Sequence, residues 1–372
     1  MSQRQDFIFG NIAEFSYGTM PKKEKLGKGE YPTFSGYKYQ YKYPEFNCDK
    51  DDLIVVARGV GGTGDVKIVW EKCYLTNLSI KIKANNSILD NKFFYYSFAQ
   101  ETLRYLDSGS AQSQITINDL TKVVLNLPPI EEQKAIASVL SSLDDKIDLL
   151  HRQNTTLERM AETLFRQWFV EEAQEDWEER PLSTIANFLN GLACQKIPPT
   201  DAINRLPVLK IKELSSGISE NSDWATSNVK PEYIVNNGDV IFAWSASLMV
   251  KVWDGEKCVL NQHLFKVTSQ EFPKWFYLHW CKYHLDEFIS ISSSHATTMG
   301  HIKRGDLDTA MVKVPKPEQL SAMTKQMAPL LEKQIINAKQ IKTLERIRDN
   351  LLPKLMSGEV RVEFNGEHHD AI

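Results

Sequence analysis

The sequence predicts an α+β protein written twice. Two globular parts of mixed strand and helix are each followed by a long helix, and the helices pair as an antiparallel intramolecular coiled coil in a pseudo-two-fold tandem repeat. Three observations predict this. Thr156-Leu157-Glu158-Arg159 returns as Thr343-Leu344-Glu345-Arg346, an offset of 187 that also carries Leu120 to Leu307, Pro128 to Pro315 and Ala135 to Ala322. Short apolar runs introduced by turn residues recur at matching places in both halves. Two heptad seams follow the two globular parts.

The elements follow in chain order. Ile12-Ala13-Glu14-Phe15 with Gly18 answers Ile185-Ala186-Asn187-Phe188 with Gly191 at offset 173, so the second copy holds about 14 extra residues before the offset reaches 187. Asp51 to Ala57 and Asp239 to Trp244 read as strands, whereas Lys92 to Arg104 and Pro273 to Ile289 are aromatic-rich and helical in pattern. From Ile136 the apolar positions run through Leu140, Leu143, Ile147, Leu150, Asn154, Leu157, Ala161, Leu164 and Trp168 in steps of four and three. Such a seam fits a helix of roughly 50 Å at 1.5 Å per residue. Its repeat runs Met323, Met327, Leu330, Gln334, Asn337, Ile341, Leu344, Arg348, Leu351 and Leu355, and Pro329 and Pro353 are expected to confine the regular helix between them. The predicted boundaries are 1–128, first globular part; 129–172, first helix; 173–316, second globular part; 317–358, second helix; and 359–372, a C-terminal tail. One such helix alone would suggest a homodimer. Two in one chain satisfy each other's seams and place the globular parts at opposite ends of a rod.

Composition excludes several classes. At 372 residues, 42% hydrophobic and 25% charged, the chain is neither disordered nor collagen-like. No apolar run approaches the roughly 18 residues of a membrane span, and the first residues lack a signal-peptide pattern, so a cytoplasmic location is expected. Five widely spaced cysteines without a C-x-x-C fit neither zinc nor a disulfide framework. The net charge of −4 argues against indiscriminate polyanion binding. The excess of acid lies in 129–180, with 6 basic and 13 acidic residues, which leaves the globular parts near neutral.

A rod with two similar heads suits a long ligand that repeats along its axis, and DNA is the obvious candidate. In the first head Lys38 and Tyr39 lie in a lysine- and tyrosine-rich stretch that mixes phosphate-seeking charge with phenols able to hydrogen-bond or stack; a solvated loop explains it equally well. The glycine-rich segment Arg58-Gly59-Val60-Gly61-Gly62-Thr63-Gly64-Asp65 lets backbone approach a phosphate or groove wall. Arg58 there offers a bidentate fork, Gly61 and Thr63 line the loop, and Lys67 follows. A simple tight turn is the competing reading. The counterpart in the second head holds Trp244, Ser245, Ser247 and Lys251, with His263 further on. A second polar loop carries Ser110, Gln112 and Gln114, amides of the kind that pair with adenine, and its counterpart carries Thr297, Thr298, His301, Lys303 and Arg304.

Catalytic readings fit poorly. His263, His279, His284, His295 and His301 fall in no H-E-x-x-H spacing. The glycine loop lacks the Gly-Lys-Ser/Thr of a phosphate-binding loop. Asn126-Leu127-Pro128-Pro129 invites comparison with the Asn-Pro-Pro-aromatic element of adenine methyltransferases, but Leu127 interrupts it and Val314-Pro315-Lys316-Pro317 lacks it, so a stiff hinge into the helix is the better reading. A two-headed protein-binding scaffold is the alternative to a DNA reader.

The whole chain resembles the specificity (S) subunit of type I restriction-modification enzymes. The resemblance rests on the doubled architecture and on Asn237-Gly238-Asp239-Val240-Ile241, Phe242-Ala243-Trp244-Ser245, Trp253-Asp254-Gly255, Asn261-Gln262-His263-Leu264-Phe265-Lys266-Val267, Leu127-Pro128-Pro129-Ile130-Glu131-Glu132-Gln133 and Leu351-Leu352-Pro353-Lys354-Leu355-Met356-Ser357-Gly358. It implies two target-recognition domains, each reading one half of a bipartite double-stranded DNA target, and helices that set the unread spacer. Along the helices, Leu140, Leu143, Ile147, Leu150, Asn154, Leu157, Leu164, Leu330, Ile341, Leu344 and Leu351 form the seam. It also implies docking of two methyltransferase (M) subunits and of restriction (R) subunits. The S subunit would do no chemistry and bind no cofactor or metal, with S-adenosylmethionine, ATP and Mg on the partners. The near-neutral heads imply weak DNA binding by the chain alone.

Overall fold

Strand pairing repeats element by element in the computed structural model, which describes residues 4–35, 38–59, 62–99, 101–107, 113–294 and 300–362, the side chains at 35, 38, 39 and 294 excepted. Residues 1–146 with 345–372 form one compact unit and residues 147–344 the other, so the division falls inside both long helices.

The first unit contains β1 (Gln5–Ile8), β2 (Ala13–Tyr17), β3 (Tyr31–Ser35), β4 (Lys38–Tyr43), β5 (Leu53–Val56), β6 (Val66–Ile68), β7 (Tyr74–Leu75), β8 (Ser79–Ala84) and β9 (Val124–Leu127). They form sheets in the orders β2-β8-β5-β6 and β4-β3-β7, and a ribbon β1-β9. The second unit contains β10 (Glu178–Pro181), β11 (Asn187–Asn190), β12 (Arg205–Leu209), β13 (Trp224–Thr226), β14 (Ile234–Val235), β15 (Val240–Ala243), β16 (Met249–Val252), β17 (Cys258–Leu260), β18 (Leu264–Thr268) and β19 (Met311–Val314). Their orders are β11-β18-β15-β16 and β13-β12-β17-β14, with a ribbon β10-β19. The extra residues of the second copy lie between β12 and β15, where a short helix, Ile211–Ser216, and β14 are added.

Side-chain devices repeat as well. All four residues of β5 and of β15 are buried, which is why both runs are continuously apolar rather than alternating. On the neighbouring strand Lys81 faces Ile54 and pairs with Asp52 at 2.6 Å, while Lys266 faces Ile241 and pairs with Asp239 at 2.8 Å. Gly18 and Gly191 lie against the carbonyl oxygens of Thr76 and Asn261, where any Cβ would collide with backbone. Those two glycines are fixed by close approach rather than by a positive φ.

The first long helix spans Ile130–Arg166 and passes into a π turn, Gln167–Glu171; the second spans Pro317–Ser357 and stops at Gly358, whose φ is 77°. Glu131 and Glu132 in one first turn and Pro317 with Glu318 in the other suit helix N-termini. Prolines do not confine the second helix as its sequence predicts: it runs through both Pro329 and Pro353. Each costs a hydrogen bond. Both rings sit on the exposed side, and their neighbours Met327, Leu331, Leu352 and Leu355 are buried, so packing outweighs local propensity.

The seams meet antiparallel within each unit. In the first, Leu140 shares the core with Leu352 and Leu355, and Arg348 pairs with Asp144 at 2.8 Å. In the second, Ile147 and Leu150 pack on Ile341 beside Leu344, and Asn337 Nδ2 donates to Asn154 Oδ1 at 2.9 Å. Leu143 and Leu157 are half-buried. Leu164 and Leu330 join the core of the second unit, and Leu351 that of the first, so the helix ends belong to the domain cores.

Candidate DNA interface

Two loops far apart in sequence meet at one edge in each unit. Arg58 forms an antiparallel bridge with Gln114, and Ser245 forms one with His301, each partner lying at the same offset of 187. The adjoining hydrogen bond repeats too: Ile115 N donates to Ala57 O at 2.9 Å, and Ile302 N to Trp244 O at 3.0 Å. A short helix anchors the far side in each case. Thr116 and Asp119 close a capping box ahead of Ile117–Thr121, and Lys303 N donates to Asp306 Oδ2 at 2.6 Å ahead of Arg304–Thr309.

In the first unit Arg58 is exposed, whereas Gln114 is half-buried and its N–H donates to Asp107 Oδ1 at 2.8 Å. Thr63 serves the loop itself: it is buried and its hydroxyl donates to Gly59 O at 3.1 Å. Lys67 lies on β6 and pairs with Asp65 at 3.3 Å. Lys38 and Tyr39 lie on β4, where only their backbone is described. Gly61, Ser110, Gln112, Thr297 and Thr298 fall outside the described residues.

The second unit builds its edge from different chemistry. Trp244 stacks on Phe265 with centroids 5.7 Å apart, and its Nε1 donates to Asn190 Oδ1 at 3.2 Å. Ser245 Oγ lies 3.1 Å from His263 Nδ1, and the His301 ring stands edge-on to Trp244. Ser247, His263, His301, Lys303 and Arg304 are exposed, and Arg304 also reaches the Phe188 carbonyl at 3.4 Å. Lys251 is placed differently. Its ammonium donates to Leu214 O at 3.2 Å, and it lines a groove of about 280 Å³ that also includes His151, Asn154 and Glu158.

Sequence reasoning missed Asn190 and Phe265, which orient Trp244. The position of Asn190 immediately before the repeated Gly191 was the available signal. Two of the histidines are structural. His279 is buried, holds Trp275 O through Nδ1 at 2.8 Å, and has its pKa lowered by burial to about 4; His284 bridges Glu287 and Met311 O. All five cysteines are buried and free, and burial pushes the Cys194, Cys258 and Cys281 thiols up. Among the described residues no cluster of three potential ligands could hold a metal, and no helix is long and apolar enough to cross a membrane.

One α+β unit built twice, with equivalent edges that carry different side chains, defines a duplicated recognition protein. Comparison with known proteins agrees. The type I restriction modification DNA specificity domain matches residues 1–159 and again 174–346, and the chain belongs to that family. It is 29% identical to the type I restriction enzyme MjaIX specificity subunit of Methanocaldococcus jannaschii, over 73% of this chain and 70% of the relative. It is 22% identical to the EcoBI specificity subunit of Escherichia coli, over 99% of this chain and 81% of the relative. The crystal structure of a type I system S subunit from M. genitalium shares the fold at a TM-score of 0.70 and 18% identity, covering 95% of this chain and 96% of that one. The chain is a non-catalytic subunit that supplies DNA sequence recognition to a type I restriction-modification complex.

Proposed function

We propose that each unit reads one half of a bipartite DNA target in the cytoplasm, the first through the edge around Arg58 and Gln114 and the second through the edge around Ser245, His263 and His301. The observation that carries this reading is the bridge repeated at one offset with unlike side chains: a shared backbone frame with exchanged polar groups suits two half-sites of different sequence. Arg58 offers the fork that suits guanine, while exposed His263 and His301 offer single hydrogen bonds and buried Ser245 holds His263 in place. Exposed Lys303 supplies charge for the DNA backbone.

The long helices set the number of unread base pairs and dock two methyltransferase subunits, and restriction subunits complete the assembly. S-adenosylmethionine on the methyltransferases, and ATP with Mg on the restriction subunits, supply the chemistry. The near-neutral charge of the heads supports weak DNA binding by the chain alone, with partners adding phosphate contacts.

Single-molecule sequencing of adenine methylation tests the reading, in cells with and without this chain alongside an active methyltransferase partner. The expected result is a split motif with a fixed spacer, and Arg58→Ala relaxes one half only. Methylation that does not depend on the chain overturns it.

A further inference from the structure

Beside the bridge of the first unit stands a short 3-10 helix, Leu103–Leu106, that belongs to neither of the loops its sequence marks for DNA. A closed chain of hydrogen bonds ties it to the same edge. Gly64 N donates to Val56 O and Leu103 N to Gly64 O, both at 2.9 Å; Asp107 N then donates to Arg104 O at 2.9 Å, and Gln114 N to Asp107 Oδ1 at 2.8 Å. Gln114 bridges back to Arg58, which completes the circuit.

The glycine loop is shaped to receive this helix. Gly64 has φ +89°, and a Cβ there would stand 2.5 Å from Arg104 N and 2.8 Å from Leu103 C. Leu103 is fully buried beneath, and Thr102 Oγ1 caps the start by accepting from Arg104 N. The segment is therefore held by its backbone and by Leu103. Arg104 and Tyr105 are not needed for that anchoring.

Both side chains project from it into solvent. Arg104 is exposed, and Tyr105, at 69% relative exposure, is the most exposed aromatic side chain among the described residues. A lone exposed aromatic is ordinary on a protein surface. A guanidinium and a phenol ring, adjacent on an anchored turn that is tied through Asp107 to Gln114 and from there to Arg58, form a coherent surface for a polyanion with flat edges.

We propose that Arg104 contacts a backbone phosphate of the half-site read by the first unit, and that the Tyr105 ring packs against a base edge or sugar there and contributes to discrimination. This rests on the DNA-reading function above. The corresponding stretch of the second unit is a longer helix, Leu285–Ser294, with neither group at its exposed surface, so the contribution belongs to one half of the target.

The test uses the full chain assembled with its methyltransferase partner, in methylation mapping and in DNA-binding titrations across salt. Arg104→Ala is expected to weaken binding to all sequences and to flatten the slope of log Kd against log salt by about one. Tyr105→Ala is expected to relax base preference in one half of the split motif and leave the other unchanged, and Tyr105→Phe to retain it. Unaltered motifs and salt slope in both alanine variants overturn the proposal while the wild-type split motif upholds the parent reading. A uniform loss across both halves in Tyr105→Ala overturns the discriminating role. Absence of any chain-dependent methylation in the wild type removes both.

Discussion

The first unit ties its edge with arginine and glutamine and the second with serine and histidine, yet the backbone bond beside each pair is the same to within 0.1 Å. The repeat keeps what holds the edge and exchanges what the edge presents. Half-buried Asp–Lys pairs, close-approach glycines and caps recur in both units, while exposed positions differ. Backbone geometry is set by hydrogen bonds that tolerate few residue types, whereas an outward side chain is constrained only by its ligand. Even inside the core a conserved role can change chemistry: Ser97 Oγ donates to Phe93 O at 2.9 Å, and in the second unit His279 Nδ1 holds the equivalent Trp275 O.

The glycines give the hardest test of equivalence. Gly18→Ala and Gly191→Ala each push a methyl into backbone carbonyls that have nowhere to retreat, and each is expected to cost about 3 kcal/mol. Hydrogen exchange reports which unit loosens. Each variant affects its own unit, and a large effect in only one breaks the comparison.

Acid separates the units next. Folding lowers the His279 pKa from 6.5 to about 4, so between those values the unfolded chain binds a proton that the folded chain does not. Stability conferred by the neutral ring is complete above pH 6.5 and is lost as pH falls toward about 4, by roughly 2–3 kcal/mol at 1.36 kcal/mol per unit. Ser97 does not titrate, so the first unit lacks this term. Denaturant melts of the wild type and of His279→Gln from pH 7 to pH 4.5 check it, and an unchanged pH slope in the variant refutes the assignment.

The smallest effect concerns the helix pair inside the second unit. Leu150 and Ile341 form an apolar layer, and at offset 187 their counterparts are Asn337 and Asn154, a polar layer one step along. Asn337 is fully buried, with an Oδ1 that has no partner. Asn154→Leu removes the nearer acceptor of its amide, leaving Gln153 Oε1 at 3.4 Å, and is expected to cost about 1–2 kcal/mol. Adding Asn337→Ile restores an apolar layer and recovers that loss in urea unfolding. A neutral single substitution shows the layer does not fix register.

The helical seams were legible in the sequence as a period of hydrophobicity, which follows directly from backbone geometry, the central strands as continuously apolar runs, and the duplication as identities at one offset. The seam through Leu140, Leu150 and Ile341 needed nothing more. Arg58, Ser245 and His301 were legible as candidates because the offset of 187 set unlike polar residues at matching places. The pairing of Arg58 with Gln114, 56 positions later, was not, since no local signal encodes a bridge between loops. Tertiary structure alone decided that Thr63 turns inward, that Lys251 is engaged by Leu214, that Asn190 and Phe265 hold Trp244, and that the helix survives Pro329. Thr63 turns to Gly59 within its own loop; in the other cases the deciding partner is distant in the chain, and burial against it outweighs the residue's local preference.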